Sequence, residues 1–206
     1  MTFAGWQRLS LIDYPGKVAA VVFTAGCNLR CPFCHNPELV TGTPATAFTG
    51  DEVLAHLHAR RGRLDGLVVT GGEPLLHSGL TPFLARVKQE GFLVKLDTNG
   101  TLPGPLAALL AGGLVDFVAM DIKAPPHKYG LLAGTAVDLA TIRESMRLIR
   151  KAGIGHLFRT TAVRPLLTAD DLREIAAWTD DPGHWRPQPF VRTNILDPEL
   201  PVCPQW

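Results

Sequence analysis

The sequence predicts an α/β fold in which strands and helices alternate along the whole chain. Short β-branched or apolar runs are each followed by a Gly-, Asn- or Pro-containing turn and then by an amphipathic stretch, which is the pattern of repeated βα units. The chain has 206 residues, 46% of them apolar and 19% charged, enough to bury one sizeable core. No low-complexity tract, charge block or Ser/Gly linker divides it, so residues 1–206 are expected to form a single domain.

Residues 1–16, with Trp6, Leu9, Leu11, Ile12 and Tyr14 before Pro15-Gly16, read as an N-terminal extension covering one end of a sheet. From residue 17 onward six βα units follow. Their expected strands are Val18 to Thr24, Leu67 to Thr70, Leu93 to Asp97, Phe117 to Ile122, Leu157 to Val163 and Pro189 to Ile195. Several are apolar on both faces, as buried parallel strands are. The helices between them are expected at Asp51 to Arg61, Leu80 to Glu90, Pro103 to Leu110, Asp138 to Ala152 and Ala169 to Trp178, with Asp138 and Asp170 as N-caps. Six units are too few for a full eight-stranded barrel, so a partial barrel and an open doubly wound sheet both fit.

Charge and hydropathy exclude several function classes. Twenty Lys+Arg against nineteen Asp+Glu leave a formal charge of +1, so no whole-molecule field draws the chain to nucleic acid or to an anionic membrane. The longest apolar run, Val18 to Phe23, is far short of the roughly 20 residues that span a bilayer. Residues 1–10 lack the basic start and apolar stretch of a leader, and a soluble, cytoplasmic protein is expected.

Three of the four cysteines, Cys27, Cys31 and Cys34, fall within eight residues, while Cys203 lies near the end of the sequence. That is no disulfide framework; clustered thiols point to a metal. Their C-x3-C-x2-C spacing follows the first expected strand, at the end of a parallel sheet where ligands gather. Thiolates are soft donors suited to zinc, copper(I) or iron–sulfur. A closed structural zinc site needs a fourth ligand, His35 or Cys203, and normally shows paired C-x2-C knuckles, which this spacing lacks. A cubane cluster held by three cysteines leaves one iron open to a non-protein ligand.

The three cysteines, with Phe33 just before the last, resemble the signature of the radical S-adenosylmethionine superfamily. Further segments agree: Leu9 to Lys17, Cys34-His35-Asn36, Gly71-Gly72-Glu73-Pro74, Asp97-Thr98-Asn99-Gly100 and Asp121-Ile122-Lys123 resemble the activating enzymes of glycyl-radical proteins, most closely those of anaerobic ribonucleoside-triphosphate reductase. The resemblance implies a partial (β/α)6 barrel. It also implies a [4Fe–4S] cluster on Cys27, Cys31 and Cys34, with S-adenosylmethionine chelating the open iron. Reductive cleavage to a 5′-deoxyadenosyl radical and abstraction of hydrogen from a glycine of a partner enzyme would follow. An external electron donor such as flavodoxin or ferredoxin is implied too.

The same resemblance assigns roles residue by residue. Phe33 is placed near the adenine, and Gly71, Gly72 and Glu73 beside the methionine moiety. Asp97, Asn99 and Lys123 would hold S-adenosylmethionine, and Arg159 would approach its carboxylate or the substrate backbone. Asp97 with Asp121 would bind a monovalent cation. Each residue also has a plainer reading: Phe33 as a core aromatic, Gly71-Gly72 as a turn, Glu73 as a cap, the Asp and Asn residues as strand-to-helix caps, Arg159 as a surface group. His56, His58, His77, His127, His156 and His184 share no helical face or spacing and read as surface histidines. Two other functions stay open, a radical enzyme acting on a small molecule and a zinc-binding interaction module.

Overall fold

The computed structural model describes residues 1–40 and 47–201. Strand β1 (Thr2–Phe3) pairs with β4 (Phe48–Thr49) in a two-stranded antiparallel ribbon. The main sheet has seven strands in the order β2 (Gly5–Ser10), β3 (Ala19–Thr24), β5 (Gly66–Gly71), β6 (Leu93–Thr98), β7 (Phe117–Asp121), β8 (Gly155–Ala162) and β9 (Trp185–Pro189). Within this sheet β3, β5, β6, β7, β8 and β9 run parallel to one another, and β2 runs antiparallel to β3. The order never reverses, so the right-handed crossovers all wind one way and the chain is a partial barrel, not a doubly wound sheet. The edge strands β2 and β9 are not paired to each other, which leaves the barrel open along one side. No helix among the described residues is long and apolar enough to cross a membrane.

The helices are α1 (Pro37–Val40), α2 (Gly50–Ala59), α3 (Leu80–Gln89), α4 (Pro103–Ala111), α5 (Tyr129–Ala133), α6 (Leu139–Lys151) and α7 (Ala169–Thr179). Their apolar faces bury Leu57, Leu84, Leu106, Ile142 and Ile175 against the outward strand residues Val22, Val69, Leu96, Met120 and Phe158. Each such side chain stabilises the layer by about 1.5–3 kcal/mol. Asp138 caps α6 through the Ala140 amide, as expected. At α7 the cap is Thr168, not Asp170. Thr168 and Asp171 form a reciprocal capping box, which satisfies two donors where Asp170 would satisfy one.

Two further expectations change. Trp6 and its neighbours belong to a paired strand, β2, because the extension has a free β3 edge to complete; Tyr14 then turns inward onto Ala19, Val21 and Val68. The last strand ends at Pro189, where the expected strand begins. Pro187 and Pro189 lack N–H donors and are tolerated on an edge, so β9 needs only β8 as partner. The segment beyond it serves as a strap. Phe190 and Ile195 are buried, and the amides of Leu196 and Asp197 donate to the carbonyls of Cys34 (3.1 Å) and Pro32 (2.9 Å).

Candidate active site

Inward-facing strand positions change character along the barrel. Near the strand starts they are Ala19, Val21 and Val68, packed beneath Tyr14. Towards the strand ends they become Thr70, Asp97, Asp121, Arg159 and Thr161, which line a cavity of about 440 Å³ together with the cysteine loop. Alternation with period two puts these charges on one face and the apolar core on the other.

The cysteine loop is anchored at its start and between its first two cysteines. The Gly26 amide donates to Leu39 O at 2.6 Å, and the Arg30 amide to Ala133 O at 2.8 Å. Leu29 and Phe33 are buried beneath it, and Phe33 also lines the cavity. Cys27, Cys31 and Cys34 all face that cavity. Burial pushes the Cys27 thiol up and the Cys31 thiol to about 11, so ionisation of these sulfurs accompanies metal binding.

Gly71 and Gly72 line the cavity, but their lack of a side chain is required by the protein itself. Gly71 has φ +117°, and a Cβ on Gly72 would lie 1.9 Å from Gly26 O. The end of β5 therefore abuts the start of the cysteine loop backbone to backbone, with the Glu73 amide donating to Gly26 O at 2.8 Å. Glu73 is not among the lining residues. Its buried carboxylate accepts from Leu75 N (3.1 Å), Thr98 Oγ1 (2.8 Å) and Asn99 N (2.7 Å), and burial raises it to about 7 despite those bonds. Asn99, thus fixed, donates from Nδ2 to Asn28 Oδ1 at 2.9 Å and lies 3.9 Å from Cys27 Sγ. Three separate segments are joined here around one sulfur.

On the facing wall, five side chains alternate in sign. Lys95 pairs with Asp97, Asp97 with Arg159 (3.2 Å), Arg159 with Asp121 (2.9 Å) and Asp121 with Lys123 (3.1 Å). Of the five, Asp97, Asp121, Lys123 and Arg159 line the cavity, where Arg159 and Lys123 have donors to offer a carboxylate guest. Burial opposes ionisation of Asp121, but Arg159 and Lys123 outweigh it and hold the carboxyl at about 2. Lys123 is held protonated, above its usual range, by Asp121 against the cost of its own burial. The guanidinium of Arg159 bridges Asp97 and Asp121, the two carboxylates expected to bind a monovalent cation. Lys95 went unnoticed in the sequence, although its position two residues before Asp97 on a strand puts both on one face. Asp13 and Gln188 also reach the cavity. Cys203 lies outside the described residues.

A sheet wound one way, with a three-thiol loop over the ends of its strands, defines a class. The chain belongs to the radical SAM superfamily, whose sequence profile matches residues 21–179. Within it the chain groups with the glycyl-radical-enzyme activating enzymes. It is 33% identical over 206 residues to a protein named as a glycyl-radical enzyme activating enzyme of Methanocaldococcus jannaschii, covering 98% of this chain and 85% of that one. It is 34% identical over 122 residues to the pyruvate formate-lyase-activating enzyme of Clostridium pasteurianum and 32% over 134 residues to the 7-carboxy-7-deazaguanine synthase of Methanopyrus kandleri. Those matches span 50% and 52% of the relatives. A radical SAM methyltransferase from Sphaerobacter thermophilus superposes with a TM-score of 0.69 at 18% identity, covering 96% of this chain and 62% of that one. Streptococcus suis SuiB bound to S-adenosylmethionine gives 0.70 at 13% identity, covering 90% and 43%, and both likenesses show the fold. The superfamily's cofactors are a [4Fe–4S] cluster and S-adenosylmethionine. The residues present fit them: three thiols face a cavity whose opposite wall presents the cations Arg159 and Lys123.

Proposed function

We propose that this protein activates a glycyl-radical enzyme, with an anaerobic ribonucleotide reductase as the partner favoured by the sequence motifs. The observation that carries the reading is the convergence of Cys27, Cys31 and Cys34 with the Asp97–Arg159–Asp121–Lys123 chain on one cavity. In it the three thiolates hold the cluster. Phe33, Gly71, Gly72, Asp97, Asn99, Lys123 and Arg159 shape the site of S-adenosylmethionine, and Glu73 fixes the turn that carries Asn99. When bound, cluster and cosubstrate supply a 5′-deoxyadenosyl radical that takes hydrogen from a glycine Cα. The chain's own residues orient that cosubstrate: Arg159 and Lys123 offer planar and point-like donors to a carboxylate, and the buried loop excludes water. The open side between β2 and β9 gives a loop of a large partner a lateral path to the cavity. Residues 1–206 act as one domain in this reading, and the reducing electron comes from a separate flavodoxin or ferredoxin.

Similarity to 7-carboxy-7-deazaguanine synthases favours a second reading, a small-molecule substrate, but it extends over 55% of this chain against 98% for the activating-enzyme relative. Anaerobic incubation with reductant and S-adenosylmethionine separates the two. Methionine and 5′-deoxyadenosine should form together with a glycyl-radical signal in electron paramagnetic resonance on an added anaerobic ribonucleotide reductase. Cofactor cleavage with no such signal on any of several glycyl-radical proteins would favour the small molecule.

A further inference from the structure

At the opposite end of the sheet from the cysteines, we propose that His156, Asp181 and His184 form a site for one zinc ion. His156 is the second residue of β8, and Asp181 and His184 lie in the turn between α7 and β9. Asp181 Oδ2 is 2.8 Å from His156 Nε2, and its Oδ1 is 2.8 Å from His184 Nδ1. The two imidazoles stack with centroids 4.3 Å apart, and the donor atoms of all three residues lie within 4.8 Å of one another. Two imidazole nitrogens and one carboxylate oxygen are the donor set of open zinc sites, whose fourth position takes water.

The surroundings prepare these ligands. His156 Nδ1 lies 3.3 Å from Ile154 O; donation there directs the Nε2 lone pair at the trio, the arrangement that backs metal-bound histidines elsewhere. Asp181 stays ionised, since the hydrogen bonds of the two histidines outweigh its burial. Ligand atoms around tetrahedral zinc, bonded at about 2.0–2.1 Å, sit roughly 3.3 Å apart, so the His–Asp contacts, now 2.8 Å, would lengthen by about half an ångström. His184, with 53% of its side chain exposed, has room to make that move, while His156, edge-on to Phe158, serves as the anchor. Among the described residues a second His-carboxylate group, His127, Asp171 and Glu174, offers less, because Asp171 is already taken by Lys128 Nζ at 2.6 Å and by the α7 cap.

Zinc here would pin the α7–β9 turn to β8, and so steady an edge strand that carries Gln188 to the cavity. The test uses cluster-loaded protein, kept anaerobic, with micromolar zinc chloride as the probe, followed by gel filtration and elemental analysis. Wild type should retain one zinc per chain, and His184→Ala and Asp181→Asn none, with iron content equal in all three. The zinc X-ray absorption edge should show nitrogen and oxygen ligands without sulfur, and zinc should raise the Tm of wild type but not of His184→Ala. His184 is exposed enough for its variant to fold even if Asp181→Asn does not. Equal zinc in wild type and His184→Ala, sulfur ligation, or no uptake by wild type would each overturn the proposal and leave the trio a hydrogen-bonded staple.

Discussion

Asp121 and Arg159 stand opposite each other on adjacent parallel strands, and Arg159 Nε donates to Asp121 Oδ1 at 2.9 Å. The same guanidinium reaches Asp97 on the next strand, so one side chain ties three strands together at the cavity floor. Arg159→Met leaves two carboxylates facing each other across partly buried space. With side-chain exposures of 18% for Arg159 and 33% for Asp121, the loss expected is about 2 kcal/mol, below the fully buried case. Arg159→Lys should recover only part of it, because a single ammonium cannot fork between two strands. Thermal unfolding of the cluster-loaded variants checks this, and a loss within error of zero would show that the pairs contribute no stability.

Glu73 should make stability fall with rising pH. Its carboxyl is raised by burial to about 7 in the folded protein from an ordinary value of 4.5, so between those values the folded state binds more protons than the unfolded. The slope of unfolding free energy with pH is then negative in that window and flat above it. Glu73→Gln should abolish this component of the slope. It should also cost about 1–3 kcal/mol, since the amide places an N–H against a donor that the carboxylate had satisfied. The difference between wild type and variant across pH 4.5–7 is the measurement, and parallel curves would refute the assignment.

Gly72→Ala should cost the cluster and not merely stability. The added Cβ meets Gly26 O, a backbone atom that no rotamer change can move, one residue before Cys27. Reduced iron content on reconstitution is the expected result. Gly104→Ala serves as control: nothing lies near the added methyl, and iron content should match wild type. Full iron loading of Gly72→Ala would show that the loop tolerates displacement.

Most of the strand and helix pattern was legible because periodicity and turn chemistry agree locally, as at Leu93 to Asp97 and Asp138 to Ala152. The winding sense was not, since the order of strands is a tertiary fact that a βα alternation leaves open. The cysteines were legible by spacing alone. For Glu73 the motif left two readings, cofactor contact and cap, because it shows that a residue is near a site without showing which way it points; the side chain caps the turn at Leu75. Lys95 was overlooked because a lysine in an apolar run reads as an exposed interruption until Asp97 on the same face gives it a partner. The strap at Phe190 to Ile195 looked like a strand because its two apolar ends, Phe190 and Ile195, are buried, here beside the cysteine loop and not in a sheet.

Cys203→Ala should leave the iron content at about four per chain, because the loop supplies three thiols to one cavity and a site-open cluster needs no fourth. A drop in iron would make Cys203 a ligand, close the cluster to S-adenosylmethionine and remove the chemical basis of the proposed activity.

The strap should govern how long the cluster survives. His35, next to Cys34, stacks on Phe190 with centroids 5.3 Å apart and its ring Nε2 lies 2.8 Å from Val191 O. Together with the Leu196 and Asp197 amides, these contacts cover the last cysteine from the solvent side. Phe190→Ala removes the stacking partner and a largely buried ring, at a cost of about 3 kcal/mol that falls on local opening of the strap. Cysteines and barrel stay in place, so the variant should load with iron normally. Its visible absorbance should then bleach several-fold faster than wild type on exposure to air or to a chelator. Equal bleaching rates would mean that oxygen and chelator reach the cluster through the cavity mouth and that the strap shields nothing.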